Sequence, residues 1–497
     1  MSLFRSNARQ LRDVFEAEGV PGLRGFYDEG IYPWKAIYRG KYAPWHRVDA
    51  PTARDPNGKR ALFRLNMAKA VCAELAGLVW GEQARLRVSA AGGGEADLLD
   101  EYVQEVLAGN GFFAGAQAMI EKGLALGGAA VKIWGEGGGA DARIRVGFCA
   151  ADQFVPLSWD GDGVTEAVFI SRLSRRGANY TRLEWHRRAG DGWAIDNELY
   201  RADALPGGAR DILGARCPLE EACPELDGHA LVRTDAPLFA YWRTPVANNL
   251  ADDCPLGVSV FANSLETLHG IDLCYDSLIQ EFRLGRKRIV VPARFLRTVV
   301  DPQTGQARRY YDPGDEAFVG LADDEGGGVQ DLTSPLRVEE HVAALNALLG
   351  LLCMQLGFSA GAFSFSEHGG LRTATEVVSE NSKTYKTVRT LQNQLVPALE
   401  RVARGVVDAA CLYGVRYKGV PVEKLAAGGC EVKVAFDDGV TQDRQAGVDE
   451  GLALVAAGLL SRYTFLTDRR YGQGLTDREA RAELERIGGE RGTGIRN

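Results

Sequence analysis

Three stretches of helical apolar rhythm in the second half of the chain constrain the fold most. From Val258 to Lys287, the residues Phe261, Leu265, Leu268, Ile271, Tyr275, Leu278 and Phe282 recur at steps of three and four. That spacing predicts one helix of about 30 residues, roughly 45 Å long at about 1.5 Å per residue. Ser334-Pro335, a favourable N-cap followed by Pro at the first helical position, opens a second. In it Val338, Val342, Leu345, Leu349, Leu352 and Leu356 keep a rhythm close to a coiled-coil seam, which ends at Gly357. Thr373-Ala374-Thr375-Glu376 reads as a capping box and opens a third helix that runs to about Leu412, with a kink expected at Pro397. Residues 288–333, between the first two, are strand-like and turn-rich. The second half therefore reads as helix, small β insert, helix, glycine- and aromatic-rich loop, kinked long helix, a strand near Glu431–Phe436 and a helical tail.

The first half has another character, and all eight Trp lie at or before Trp242. Residues 1–65 read as irregular. Leu65–Trp80 reads as a helix on Met67, Val71, Leu75, Leu78 and Val79, and two more helices follow near 95–109 and 112–127. From Ala129 to Trp242, short runs rich in β-branched and aromatic residues alternate with Gly-rich turns, which predicts an antiparallel meander rather than βαβ units. The fold class is α+β, with room for about three domains in 497 residues.

Composition narrows the function. Hydrophobic residues at 45% and charged residues at 25% are those of a folded chain and exclude disorder as the main state. A net charge of -8 argues against a protein that wraps nucleic acid by neutralising phosphates. The nine Cys include no C-x-x-C pair and are expected to be reduced thiols of a cytoplasmic protein. The start, MSLFRSNARQ, lacks the apolar core of a signal peptide, and no run approaches about 18 apolar residues, so no membrane partner is expected.

The short motifs fail their structural contexts. Gly357-Phe358-Ser359-Ala360-Gly361 fits the G-x-S-x-G of serine hydrolases, with His368-Gly369-Gly370 nearby, but a nucleophile elbow needs a strand before the Ser and a helix after it. Here a helix precedes and a loop follows. Gly135 to Ala140 fits G-x-G-x-x-A, yet a strand follows it, so a hairpin turn is expected. Ser158 to Gly163 hints at a calcium loop, but Phe169 stands where the twelfth-position Glu belongs. His186 and His269 are expected as core or surface residues, and Asp252-Asp253 and Asp437-Asp438 as turn residues. No metal site, cofactor site or catalytic residue is assigned. Basic residues cluster at Arg283, Arg286, Lys287, Arg288 and Arg294, where either a helix C-terminus or an electrostatic contact with nucleic acid or an acidic partner explains them.

Two stretches resemble the portal proteins of tailed bacteriophages with long non-contractile tails. RLNMAKAVCAELAGLVWGE, from Arg64, is similar to that family's early wing helix. TATEVVSENSKTYKTVRTLQNQLVPAL, from Thr373, is similar to its long helix after the channel loop. The order of elements between them matches too, and the resemblance spans residues 20–480.

The resemblance implies a portal-type fold with these parts: a mixed wing at 1–257, stem helices at 258–287 and 335–357, a clip at 288–334, a tunnel loop at 358–372, a returning wing helix and strand at 373–439, and a helical crown at 440–497. It implies a ring of about twelve copies at a capsid vertex, through which double-stranded DNA is packaged and ejected. Phe363, Phe365, Ser366, Glu367 and His368 would face the DNA. The basic cluster would lie near the clip end of the stem. The implied partners are further copies of the chain, the terminase large subunit, the head-completion adaptor, and the major capsid and scaffolding proteins. The implied location is the virion, with assembly in the host cytoplasm. An enzyme using Ser359, or another multimeric head protein without a channel, are the alternatives.

Overall fold

The computed structural model describes residues 15–19, 23–50, 57–81, 84–90, 96–138, 142–161, 163–175, 177–202, 213–285, 289–292, 298–300, 307–309, 318–321, 330–331, 335–365, 374–436, 444–468, 475 and 477–492. The segment expected to be irregular starts with helix. A π-helical turn at Tyr27–Ile31 runs straight into α1, Tyr32–Tyr38. Phe26, Ile31, Trp34 and Ile37 are buried, and the Tyr27 hydroxyl donates to the Phe154 carbonyl at 2.6 Å. The aromatic residues that broke the sequence periodicity are therefore what pins this segment to the rest. A small hairpin follows, β1 (Arg47–Asp49) with β2 (Lys59–Ala61).

Helix α2, Met67–Trp80, begins after Asn66, whose φ of 56° turns the chain through a left-handed corner. Strand β3 (Arg85–Ala90) then precedes α3 (Ala96–Gly109) and α4 (Phe112–Leu126). α2 packs on α4 through Val71, Leu75, Val79, Ile120 and Leu124, all buried.

The expected meander is present as two sheets. One holds β4 (Gly128–Glu136), β5 (Arg143–Ala150) and β12 (Phe239–Arg243), in the order β12-β4-β5. The other runs β10-β9-β8-β7-β6, with β6 at Phe154–Asp160, β7 at Gly163–Arg175, β8 at Ala178–Ala189, β9 at Gly192–Ala202 and β10 at Ala215–Cys217. β11 (His229–Val232) also pairs with β9. The dinucleotide-like motif is the β4–β5 hairpin, with Glu136 opposite Arg143. The calcium-like run is the β6–β7 turn, with Asp160 opposite Gly163.

The sheets meet where Phe239 and Lys132, cross-strand neighbours, face Phe154, Phe169, Glu184 and His186. That junction holds a buried charge cluster. Glu184 accepts from Lys132 at 2.6 Å and pairs with Arg182 at 2.8 Å and His186 at 2.9 Å. Burial pushes the Glu184 carboxyl up, and Lys132, His186 and Arg182 outweigh it, so it is held well below the ordinary carboxylate range.

Gly123 on α4 sits against the Trp242 ring of β12. A Cβ there would come within 2.2 Å of a ring carbon, so glycine permits the close approach of helix and sheet.

The second half is helical, as the periodicity predicts, with shifted starts. α5 runs Leu265–Leu284 and α6 Val338–Leu356. The first does not begin at Val258, because Val258 to Phe261 are tied to the α4–β4 corner. Val260 donates to the Leu124 carbonyl at 3.0 Å, and the Thr244 hydroxyl donates to Val258 at 2.6 Å. Nor does α6 begin at Pro335, since Arg337 is held outside the helix by Glu281. The proposed cap, Ser334, lies outside the described residues, as do Thr373 and Asp437-Asp438. Between α5 and α6, β13 (Ile289–Pro292) pairs in parallel with Phe318–Leu321 and antiparallel with Gln330–Asp331, while Thr298–Val300 pairs with Ala307–Arg309.

α7 runs Ala374–Leu412, remains one helix through Pro397, and at 39 residues spans about 58 Å. Its Val388, Leu391, Leu395, Leu399, Val402 and Val406 are buried against the first half. Strand Cys430–Ala435 returns to pair with β3, with Val432 opposite Val88. Arg444–Ala456, Arg462–Thr467 and Asp477–Gly492 form the helical tail. The nine cysteines are free thiols.

Candidate functional site

The site starts from how α6 ends. Gly357 adopts φ 77°, and the Phe358 N–H reaches back to the Cys353 carbonyl at 2.9 Å, a glycine C-terminal stop. The last carbonyls of α6 have partners on α7. Met354 accepts from the Lys383 ammonium at 2.9 Å, and Gly357 accepts from the Thr387 hydroxyl at 2.8 Å. The side chain of Thr387 fills the space that a Cβ on Gly357 would take.

Ser359 is buried beside them and serves this joint. Its N–H donates to the Thr384 hydroxyl at 2.8 Å, and its own oxygen accepts from that hydroxyl at 3.1 Å and from the Thr384 N–H at 3.3 Å. A serine whose oxygen is occupied by two donors, after a helix and before a loop, holds a loop in place. It lacks the exposed oxygen and strand-to-helix turn of a nucleophile elbow.

The described part of the following loop folds back along α6. Phe358 is buried and Phe363 packs edge-on against it at 5.0 Å, while the Phe365 N–H donates to the Asn346 side chain at 2.9 Å. Phe365 is 53% exposed, so of the two expected contact aromatics it is the one presented outward. Ser366, Glu367 and His368 lie outside the described residues.

At the other end of the α5–α6 pair, Arg283 is exposed with its guanidinium 5.6 Å from the Phe63 ring centre. Arg286, Lys287, Arg288 and Arg294 lie outside the described residues. What holds this end is Glu281, which Arg337 grips bidentately at 3.1 and 2.9 Å. Hydrogen bonding from Arg337 lowers the Glu281 carboxyl to about 2.

The α5–α6 pair buries Leu268, Ile271, Leu345, Leu349 and Leu352, yet it leaves Leu273 and Phe282 of α5 and Leu351 and Met354 of α6 exposed. Of these four only Phe282 belongs to the 4-3 rhythm; Leu273, Leu351 and Met354 lie off it, so the rhythm did not point to them. The rhythm also passed over Asp272 and Asp276, buried acids on α5 that face the hairpin segment. His186 is a core residue, and His269 is half-buried in a stack on Trp45. Among the described residues no group of three His, Cys, Asp or Glu is placed to hold a metal, and no helix is long and apolar enough to cross a membrane.

The profile of the family described as phage portal protein, SPP1 Gp6-like, matches residues 31–487. Among solved structures, the chain is similar to one titled "Neck of native GTA particle computed with C12 symmetry". That match has 12% identity and a TM-score of 0.31, and it covers 80% of this chain and 87% of that one. No curated protein is significantly similar in sequence.

Proposed function

We propose, from the premise that this chain belongs to the SPP1 Gp6-like phage portal protein family, that its copies close into a ring at one vertex of a phage head. The ring leaves a central passage through which double-stranded DNA is packaged and ejected. In this reading residues 1–257 form the wing, α5 and α6 the stem, and 288–334 the clip. The loop 358–372 borders the passage, α7 and its strand return through the wing, and the tail forms the crown. The terminase large subunit and the head-completion adaptor meet the clip, and the capsid and scaffolding proteins meet the wing. The chain acts as a conduit and supplies no catalytic group.

The observation that carries this reading is the uncovered apolar surface of the α5–α6 pair. Single exposed apolar residues are ordinary on a protein surface. Leu273, Phe282, Leu351 and Met354 are four on two adjacent helices, and cyclic closure gives every such pair a neighbour on each flank. The net charge of -8 supports the same reading. Every phosphate the wall neutralised would add binding free energy that resists sliding. A small basic cluster at the clip end, with Arg283 exposed, suits retention of the packaged end.

The joint substitution Leu273→Glu and Met354→Glu tests the seam. It is expected to abolish ring formation, read by native mass measurement, while the far-ultraviolet circular dichroism of the chain stays unchanged. Rings that form normally from the doubly substituted chain would refute the assignment.

A further inference from the structure

The α5 face that carries Asp272 and Asp276 is turned toward the β1–β2 hairpin and its flanks. The two acids lie one turn apart and both are buried. Asp272 accepts from the backbone N–H groups of Leu65 at 2.9 Å and Asn66 at 3.3 Å through one oxygen, and its other oxygen lies 3.3 Å from His46 Nε2. Asp276 meets Arg60 through both carboxylate oxygens, at 2.6 and 2.5 Å, and also accepts from the Phe63 N–H at 2.9 Å. One turn before Asp272, His269 stacks on Trp45 with ring centres 4.9 Å apart and planes 8° from parallel.

The β1–β2 hairpin and its flanks thus lie along α5 as a strap. The strap hangs from α2 by the left-handed corner at Asn66, and α2 is embedded in the main core. Beyond Asp276 the attachments change owner. Glu281 is held by Arg337, at the start of α6.

We propose that the strap clamps the first part of α5 to the body of the protein, and that the Arg60–Asp276 pair is the releasable end of the clamp, where the α5–α6 pair gains freedom to tilt as a unit. The two carboxylates suit different roles. Asp272 is seated on two main-chain amides at a fixed corner, which no side-chain rotation undoes. Asp276 has one main-chain amide, that of Phe63, and otherwise the Arg60 guanidinium, which swings away by rotamer changes alone. Arg60 is about one-third exposed, so its guanidinium has water to receive it when the pair opens, whereas a fully buried arginine would not. The α5 segment that follows is then held by Arg337 at the start of α6, and its Arg283 guanidinium, 5.6 Å from the centre of the Phe63 ring, touches the strap only through that movable side chain. A tilt centred there moves the helix pair without disturbing the sheets or α2.

Hydrogen exchange of the purified full-length chain, read by mass spectrometry, tests this whether or not the chain forms rings. Arg60→Ala is expected to raise exchange about tenfold in peptides covering 59–66 and 277–284, with peptides from α2 and β4 unchanged. The exchanged pair Arg60→Asp with Asp276→Arg is expected to restore most of the protection. Unchanged exchange at 277–284, a rise spread equally over α2 and β4, or an exchanged pair as unprotected as Arg60→Ala would each overturn the clamp.

Discussion

Replacing Glu184 by Gln removes, among the described residues, the anion of a buried cluster that keeps two cations. Lys132 lies 2.6 Å away and Arg182 2.8 Å, with side-chain exposures of 10% and 14% beside 9% for Glu184 itself. At an effective dielectric constant of about 20, one such contact represents about 6 kcal/mol of gross attraction, most of it offset by desolvation. The net loss follows instead from what remains: two cations facing a neutral amide where the sheets meet. Breaking a buried pair in this way costs about 3–5 kcal/mol. At about 2–4 °C per kcal/mol for a unit of this size, the sheet transition should fall by about 6–20 °C.

The transition can be followed by tryptophan fluorescence, because Trp185 is buried on β8 and Trp134 lies 5.0 Å from the Lys132 ammonium. Adding Lys132→Met to Glu184→Gln removes one stranded charge and should recover at least about 1 kcal/mol, a coupling that only contacting residues show. The sign of the pH effect follows from the lowered carboxyl. Glu184 contributes its full stability above its ordinary value of 4.5 and loses it as the pH falls from there toward its lower folded value. The gap between the natural chain and Glu184→Gln should therefore be constant from pH 7 to about 5 and shrink below about 4.5. A single substitution costing under about 1 kcal/mol, or strictly additive losses in the double variant, would refute the reasoning.

Burial lowers His46 more than its Asp272 partner raises it, so its contribution is present above 6.5 and lost as the pH falls through its lower folded value. Its ring resonances in a nuclear magnetic resonance titration should show a midpoint below 6.5, and one above it would contradict the stated balance. Thr384→Val leaves the buried Ser359 N–H without its acceptor and should cost about 1–3 kcal/mol in denaturant melts. Ser359 should also resist a serine-directed fluorophosphonate, which mass measurement of the treated chain checks. Gly123→Ala drives a methyl into the Trp242 ring and should lower stability by about 1–3 kcal/mol, with a shift in tryptophan emission.

What was legible in the sequence was local. The apolar period carried α7 to Leu412, and the strand-rich runs placed the meander, because period acts within a few residues of itself. The start of α5 was misread for a physical reason. Val258 and Phe261 are fully buried, so they extend the apolar rhythm, but they are buried in the α4–β4 corner rather than on a helix. The pairing of β3 with Cys430–Ala435 joins segments more than 300 residues apart, and nothing near either strand encodes its register. Asp272 and Asp276 carry no local sign of being buried. Their partners, at Leu65 and Arg60, lie over 200 residues upstream. Of the proposed contact residues, Phe365 and Arg283 are presented outward and Phe363 is folded against Phe358.

The central claim is the closed ring with a passage, and imaging the assembled chain by electron cryomicroscopy tests it most directly. Closed rings of about twelve copies are expected, with the α5–α6 pairs side by side around a hole wide enough for a DNA duplex, about 20 Å, and Leu273 and Met354 at the contacts between copies. Particles that stay monomeric under every assembly condition, or rings in which these helices face solvent on both flanks, would contradict it.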